Sequence, residues 1–129
     1  MMPHRCYAMS LDALIDELNP QQKQAATTTA QHSLVLAGAG CGKTKTIVAR
    51  AAYLIAQGIP ANQIQILTFT RRAASEIVAR VELALGDEAK GLRASTFHTF
   101  CMYLLRRVPQ AFGLESFTII DRDDQLMMF

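Results

Sequence analysis

The chain is poor in the residues that build disulfide and metal frameworks: 129 residues carry three cysteines, and three histidines. Cys6, Cys41 and Cys101 are odd in number and show neither a Cys-x-x-Cys pair nor a Cys/His ligand spacing. A disulfide scaffold and a zinc site are excluded on that pattern, and a reducing, cytoplasmic setting is the expectation. Long apolar runs are missing too. Nothing approaches the roughly 20 residues needed to span a bilayer, so no membrane partner is expected. Residues 1–10 have no long apolar core and read as a disordered leader, not a signal peptide. Repeats and low-complexity stretches are absent.

Charge is not absent but nearly balanced, at a net +2. The total therefore excludes little, and the distribution is more informative. Residues 41–107 hold ten Lys/Arg against four Asp/Glu, whereas residues 108–129 hold one Arg against four acids. The middle of the chain is either a solvated basic face or one turned toward a polyanion. Half of the residues are hydrophobic and 19% are charged, the composition of a globular domain and not of a disordered segment.

Helical and strand-like segments alternate. Leu11, Leu14, Ile15 and Leu18 recur at helical spacing after Ser10. Asn19 is placed to cap a second helix with Pro20 at its first position, running through Gln22 to about Ala26. Ser33-Leu34-Val35-Leu36-Ala37 is a short apolar run that predicts a buried strand. A helix from Gly42 presents Ile47, Val48, Ala51, Leu54 and Ile55, and Gly58 and Pro60 stop it. Ile64 to Phe69 predicts a second buried strand. Thr70 caps a helix facing inward through Ala74, Ile77, Val78, Val81 and Leu85, and Gly86 ends it. Arg93 to Thr96 is a third strand candidate. Phe97 to Val108 predicts a helix presenting Phe97, Phe100, Cys101, Leu104 and Leu105, before Pro109. Phe117-Thr118-Ile119-Ile120 is a fourth strand candidate, and a further helix begins as the chain ends. Continuous apolar strands alternating with helices predict an α/β fold, a parallel sheet covered on both faces.

The chemistry concentrates in Ala37-Gly38-Ala39-Gly40-Cys41-Gly42-Lys43-Thr44. This is the GxxxxGK[ST] phosphate loop with Ala37 in place of the first glycine, set between an apolar run and a helix. Gly38, Gly40 and Gly42 let the backbone turn tightly and aim amides inward. Those amides and the helix N-terminus bind phosphate oxygens. Lys43 supplies positive charge near the β- and γ-phosphates, and the Thr44 hydroxyl is a hard oxygen ligand suited to Mg²⁺. Cys41 is not needed for phosphate chemistry and reads as a small residue the loop tolerates; the alternative is a sensitive thiol, its pKa lowered by Lys43 and a helix N-terminus, whose alkylation should block nucleotide binding. A phosphate loop by itself does not choose a function.

Its neighbours narrow the choice. Leu18-Asn19-Pro20-Gln21-Gln22-Lys23-Gln24-Ala25 resembles the LNxxQxxA element that precedes the phosphate loop in superfamily 1 helicases of the UvrD/Rep/PcrA type. Ala37 to Thr44 is similar to their AGAGSGKT. Leu67 to Ala74 resembles their TFTNKAA segment, and Ser95-Thr96-Phe97-His98 their TFH segment. Phe117 to Gln125 resembles a stretch shortly before their first inserted helical subdomain. The resemblance covers residues 18 to 125. It implies that residues 11–129 form part of a RecA-like ATP-binding domain, an incomplete P-loop NTPase fold. By the same resemblance Gln22 reads the adenine edge, for which a side-chain amide that both donates and accepts is suited. Phe69 stacks on a base of single-stranded DNA, an interaction worth about 1–3 kcal/mol per base. Thr70, Thr96 and His98 contact the sugar–phosphate backbone. Arg71-Arg72 stands where relatives often carry Asn-Lys, which keeps one cation and adds another. Lys45 stands where many carry Arg, so its nucleotide contact loses the planar fork.

The implied parent is an ATP-dependent, Mg²⁺-requiring 3′–5′ translocase or helicase on single-stranded DNA, serving repair or replication. A strand ending in Asp-Glu, which holds Mg²⁺ and activates water in such ATPases, is not evident. Asp121 ends an apolar run, but Arg122 follows it. The expectation is a chain that binds ATP without hydrolysing it. A P-loop kinase or other small NTPase, and a standalone regulatory nucleotide-binding module, are the alternatives. The former leaves Phe69, Arg71-Arg72 and His98 unexplained.

Overall fold

The computed structural model describes residues 10–40 and 42–115. They fall into two compact units, one ending at Thr96 and the other beginning at Phe97. The first opens with helix α1, Leu11–Asp16, whose N-cap Ser10 accepts a hydrogen bond from the Ala13 amide. Helix α2, Pro20–Thr27, starts on a full capping box. Asn19 Oδ1 accepts from the Gln22 amide at 2.8 Å, and Gln22 Oε1 accepts from the Asn19 amide at 3.0 Å. Pro20 fills the first position, where no amide donor is required. Helix α3, Lys43–Ala56, is followed by a 3-10 turn at Ala61–Gln63 and strand β1, Gln65–Thr68. Helix α4, Arg71–Leu85, is capped by the Thr70 hydroxyl, which accepts from the Ala73 amide at 3.1 Å. Strand β2, Arg93–Thr96, closes the unit.

β1 and β2 pair in parallel, with Gln65 opposite Arg93 and Thr68 opposite Thr96. The α4 crossover between them is what a parallel pair needs. One core joins these elements. Leu14 of α1, Val48, Ala51, Ala52 and Ile55 of α3, Ile66 of β1, Ile77 and Val81 of α4, and Leu92 before β2 are buried together. Val48 and Val81 are its largest fully enclosed side chains, each contributing roughly 1.5–3 kcal/mol by burial. A smaller cluster of Leu18, Ala26 and Ala49 attaches α2 to α3. The second unit holds helix α5, Phe97–Arg107, and a 3-10 turn at Pro109–Phe112.

Three expectations change. The run Ser33–Ala37 is not a strand: residues 33–38 have no regular structure, and Leu34, Val35 and Leu36 are 85%, 56% and 88% exposed. An apolar run becomes a strand only where a neighbour satisfies its amides and carbonyls, and among the described residues the sheet consists of β1 and β2 alone. The broad covered sheet is therefore reduced to a two-stranded parallel ribbon within a mixed helix–strand unit, consistent with part of an α/β domain. On α5, the expected apolar face carries no fully buried residue. On α3, Ile47 is exposed while Ala49 and Ala52 are enclosed: Ala49 packs in the cluster with Ala26 of α2, and Ala52 joins the main core. Cys41, the candidate strand 117–120, Asp121 and the leader 1–9 lie outside the described residues.

Candidate nucleotide and nucleic-acid site

The glycine-rich stretch turns at Ala39–Gly40 and delivers the chain to α3. Gly40 and Gly42 have φ of +74° and +78°, a left-handed conformation that disfavours any side chain. Gly42 is the N-cap of α3 and offers no side-chain hydrogen bond to the helix. The first turn contains Lys43, Thr44 and Lys45 and no acid. A helix start with positive partial charge, two added cations and no carboxylate is a standing site for an anion. Lys43 and Thr44 are exposed. Thr46, one turn in, donates to the Gly42 carbonyl at 3.1 Å and so secures the junction.

Lys43 lines an open groove of about 440 Å³ with Ala25, Ala37, Thr46 and Arg50, and with Val35 and Leu36 of the exposed run. Its size is within the range of small-ligand clefts. Lys45 lines a different cavity, of about 220 Å³, with Glu17 and Arg80 over Leu14, Val48 and Leu83. Two residues along a helix turn about 200° around its axis, which is why Lys43 and Lys45 do not share a groove.

Gln22 is brought to the same junction. A side chain built on Gly42 would meet Gln22 Nε2 at 2.6 Å. The Gln22 amide oxygen serves the capping box, so the nitrogen end faces the phosphate loop. The structure therefore sets Gln22 against Gly42, at the start of the helix that carries Lys43 and Thr44. It also shows a residue that sequence reasoning passes over. Arg50 of α3 donates through Nη1 to the carbonyls of Ala26, at 3.1 Å, and Thr28, at 2.6 Å. An arginine set among the buried alanines Ala49, Ala51 and Ala52 was the available signal, since a charge there needs partners.

The remaining candidates of the first unit, Phe69, Thr70, Arg71, Arg72 and Thr96, lie at the carboxyl edge of the two strands, where ligands meet open parallel sheets. Phe69 follows β1 and is 92% exposed. Thr68 donates its hydroxyl to the Thr70 carbonyl at 2.8 Å, and Thr70 caps α4, so the turn carrying Phe69 is held on both sides. Arg71 and Arg72 are exposed at the first two positions of α4, again with no acid in the first turn. Cations are unfavourable at a helix N-terminus, and a polyanion would reverse that. Parallel register places Thr96 opposite Thr68, at the same edge. His98 is exposed on α5, in the second unit.

A mixed helix–strand unit in which a glycine-rich turn starts a lysine-headed helix is the class these features define. Residues 18–129 match the UvrD/REP helicase N-terminal domain, and the chain belongs to that family. Among curated proteins it is similar to the ATP-dependent DNA helicase PcrA of Staphylococcus epidermidis, at 43% identity over 117 residues. It is 40% identical to the protein of the same name from Staphylococcus aureus, also over 117 residues. Each match covers 89% of this chain and 16% of the relative, so the chain spans about a sixth of the length of those proteins.

Proposed function

We propose that this chain is the N-terminal ATP-binding part of an ATP-dependent 3′–5′ single-stranded-DNA translocase or DNA helicase, acting in DNA repair or replication. The observation that carries the reading is the junction at Gly42. There the acid-free helix start with Lys43 and Thr44 meets Gln22, in a chain of the UvrD/REP helicase family. Residues 11–129 then belong to a RecA-like P-loop domain. Ala37 to Thr44 cradles the triphosphate, Lys43 neutralises the β- and γ-phosphates, Thr44 ligates Mg²⁺, and Gln22 meets the adenine edge. Lys45 adds charge at the helix start but faces the cavity of Glu17 and Arg80, outside the groove that Lys43 lines. Phe69 stacks on a base of single-stranded DNA, while Thr70, Arg71, Arg72, Thr96 and His98 take its backbone. The exposed turn at Phe69 and the paired cations of α4 support this assignment.

The chain by itself binds ATP without turning it over. Lys43 and Thr44 bind phosphate and metal, but activation of water in P-loop ATPases needs a carboxylate presented by a neighbouring strand. Asp121 is followed by Arg122 and is not such an element. Titration with a fluorescent ATP analogue, with Mg²⁺ and with EDTA, tests the proposal. Saturable binding that weakens at least several-fold in EDTA is expected, with phosphate release at background even when oligo(dT) is added. Absence of saturable binding overturns the nucleotide assignment, and DNA-stimulated turnover overturns the inactivity.

A further inference from the structure

We propose that Arg50 is the positioning residue for base recognition: by holding the C-terminal carbonyls of α2 it keeps Gln22 seated against Gly42. This rests on the reading that Gln22 meets the adenine edge, and it adds what sets Gln22 there.

The need for such a residue follows from α2 itself. It is eight residues long, too short to be stable or oriented alone. Its only buried residue is Ala26. The apolar attachment to α3 is the small cluster of Leu18, Ala26 and Ala49, to which α2 itself contributes a single buried methyl group, so apolar packing fixes its direction weakly. The direction of α2 must then be set by polar contacts at its ends. At the N-terminal end, the capping box commits Gln22 Oε1 to the Asn19 amide and leaves Nε2 against Gly42. At the C-terminal end, α2 has no basic residue in its own last turn. Arg50 supplies that charge from α3, reaching Ala26 and Thr28 carbonyls with one nitrogen. Charge-assisted bonds to helix-end carbonyls are the strong kind, and a cation is favoured there by the helix dipole.

Both anchor points lie on one rigid element. Gly42 is the N-cap of α3 and Arg50 lies on the same helix, about 12 Å further along its axis. α2 itself is about 12 Å long. The same helix that presents Lys43 to phosphate thus sets where α2 begins and ends. Arg50 also borders the groove that Lys43 lines. A loosened α2 shifts Gln22 without moving Lys43, so base recognition and phosphate binding separate.

Affinities of the chain for ATP, GTP and tripolyphosphate test this in Arg50→Met, Arg50→Lys, Gln22→Ala and the Gln22→Ala/Arg50→Met pair. The wild-type chain is expected to prefer ATP over GTP. Arg50→Met should bring that preference to within about twofold of unity while tripolyphosphate affinity stays within about twofold. Arg50→Lys should recover part of the preference, and the double variant should lose no more than Gln22→Ala, the non-additivity of two residues acting as one unit. Faster amide exchange across residues 20–27 in Arg50→Met should accompany the loss. If Arg50→Met unfolds, Arg50→Lys, checked by circular dichroism, must still show a reduced preference. Retention of the ATP preference in Arg50→Met when Gln22→Ala removes it overturns the role of Arg50 alone. A parallel fall in tripolyphosphate affinity does the same. An intact preference in Gln22→Ala removes the underlying reading of Gln22, and the Arg50 proposal with it.

Discussion

Phe69 is the residue whose role and whose structural cost separate most cleanly. A phenylalanine 92% exposed at the end of a strand contributes little to the core, so Phe69→Ala should leave the melting temperature within about 1 °C. Its loss should weaken oligo(dT) binding by about 1–3 kcal/mol, five- to a hundredfold or more. Equal binding by the variant, measured by fluorescence anisotropy, contradicts the stacking role. Arg71 and Arg72 are tested by salt. Each phosphate contact removed from a single-strand binder should reduce the slope of log affinity against log salt by about 0.7. Arg72→Ala is therefore expected to flatten the slope by that amount, and an unchanged slope would remove Arg72 from the interface. Cys41 lies between Gly40 and Gly42 in the sequence. Alkylation in a Cys6→Ser/Cys101→Ser background should abolish ATP binding, and unchanged affinity after confirmed modification would refute the sensitivity.

Elements defined by local chemistry were legible in the sequence. Asn19-Pro20 and Gln22 announce the start of α2, and the structure shows the reciprocal capping bonds. Asn19→Ala should cost about 1 kcal/mol, a fall of roughly 3–6 °C in melting temperature. A shift below about 1 °C would show that α2 does not unfold with the rest. Thr70 as the cap of α4, and the inward set Ala74, Ile77 and Val81, were likewise readable from spacing alone. Within the candidate site, the left-handed glycines and the capping role of Gln22 are legible in the same way, because glycine spacing and a capping residue are local signals. What was not legible depends on partners distant in sequence. Leu34, Val35 and Leu36 have the composition of a strand, but composition does not supply a hydrogen-bonding neighbour. Arg50 shows in the sequence only as a cation among alanines, and what it holds is hidden for the same reason: its partners are carbonyls 22 and 24 positions away. The separation of Lys45 from Lys43 follows from helix periodicity and could have been read.

On the scale of the molecule, the unit that ends at Thr96 is a well-packed helix–strand body with an exposed apolar stretch beside its phosphate loop. The stretch Ser33–Ala37 has no charge and no proline, and an unpaired segment of that type pairs readily with other chains. Leu34→Lys is expected to raise the concentration at which the chain stays monodisperse, with the melting temperature unchanged, since Leu34 is 85% exposed. Light scattering that shows no gain would mean the stretch is covered in solution. The proposal for the molecule, however, stands on the helix start at Gly42. Equilibrium binding of Mg²⁺-ATP to the wild-type chain and to Lys43→Ala tests it most directly. The account predicts saturable binding by the wild type and a loss of at least about tenfold, ~1.4 kcal/mol, in the variant, with the fold intact by circular dichroism. Equal affinity in the two proteins would contradict it.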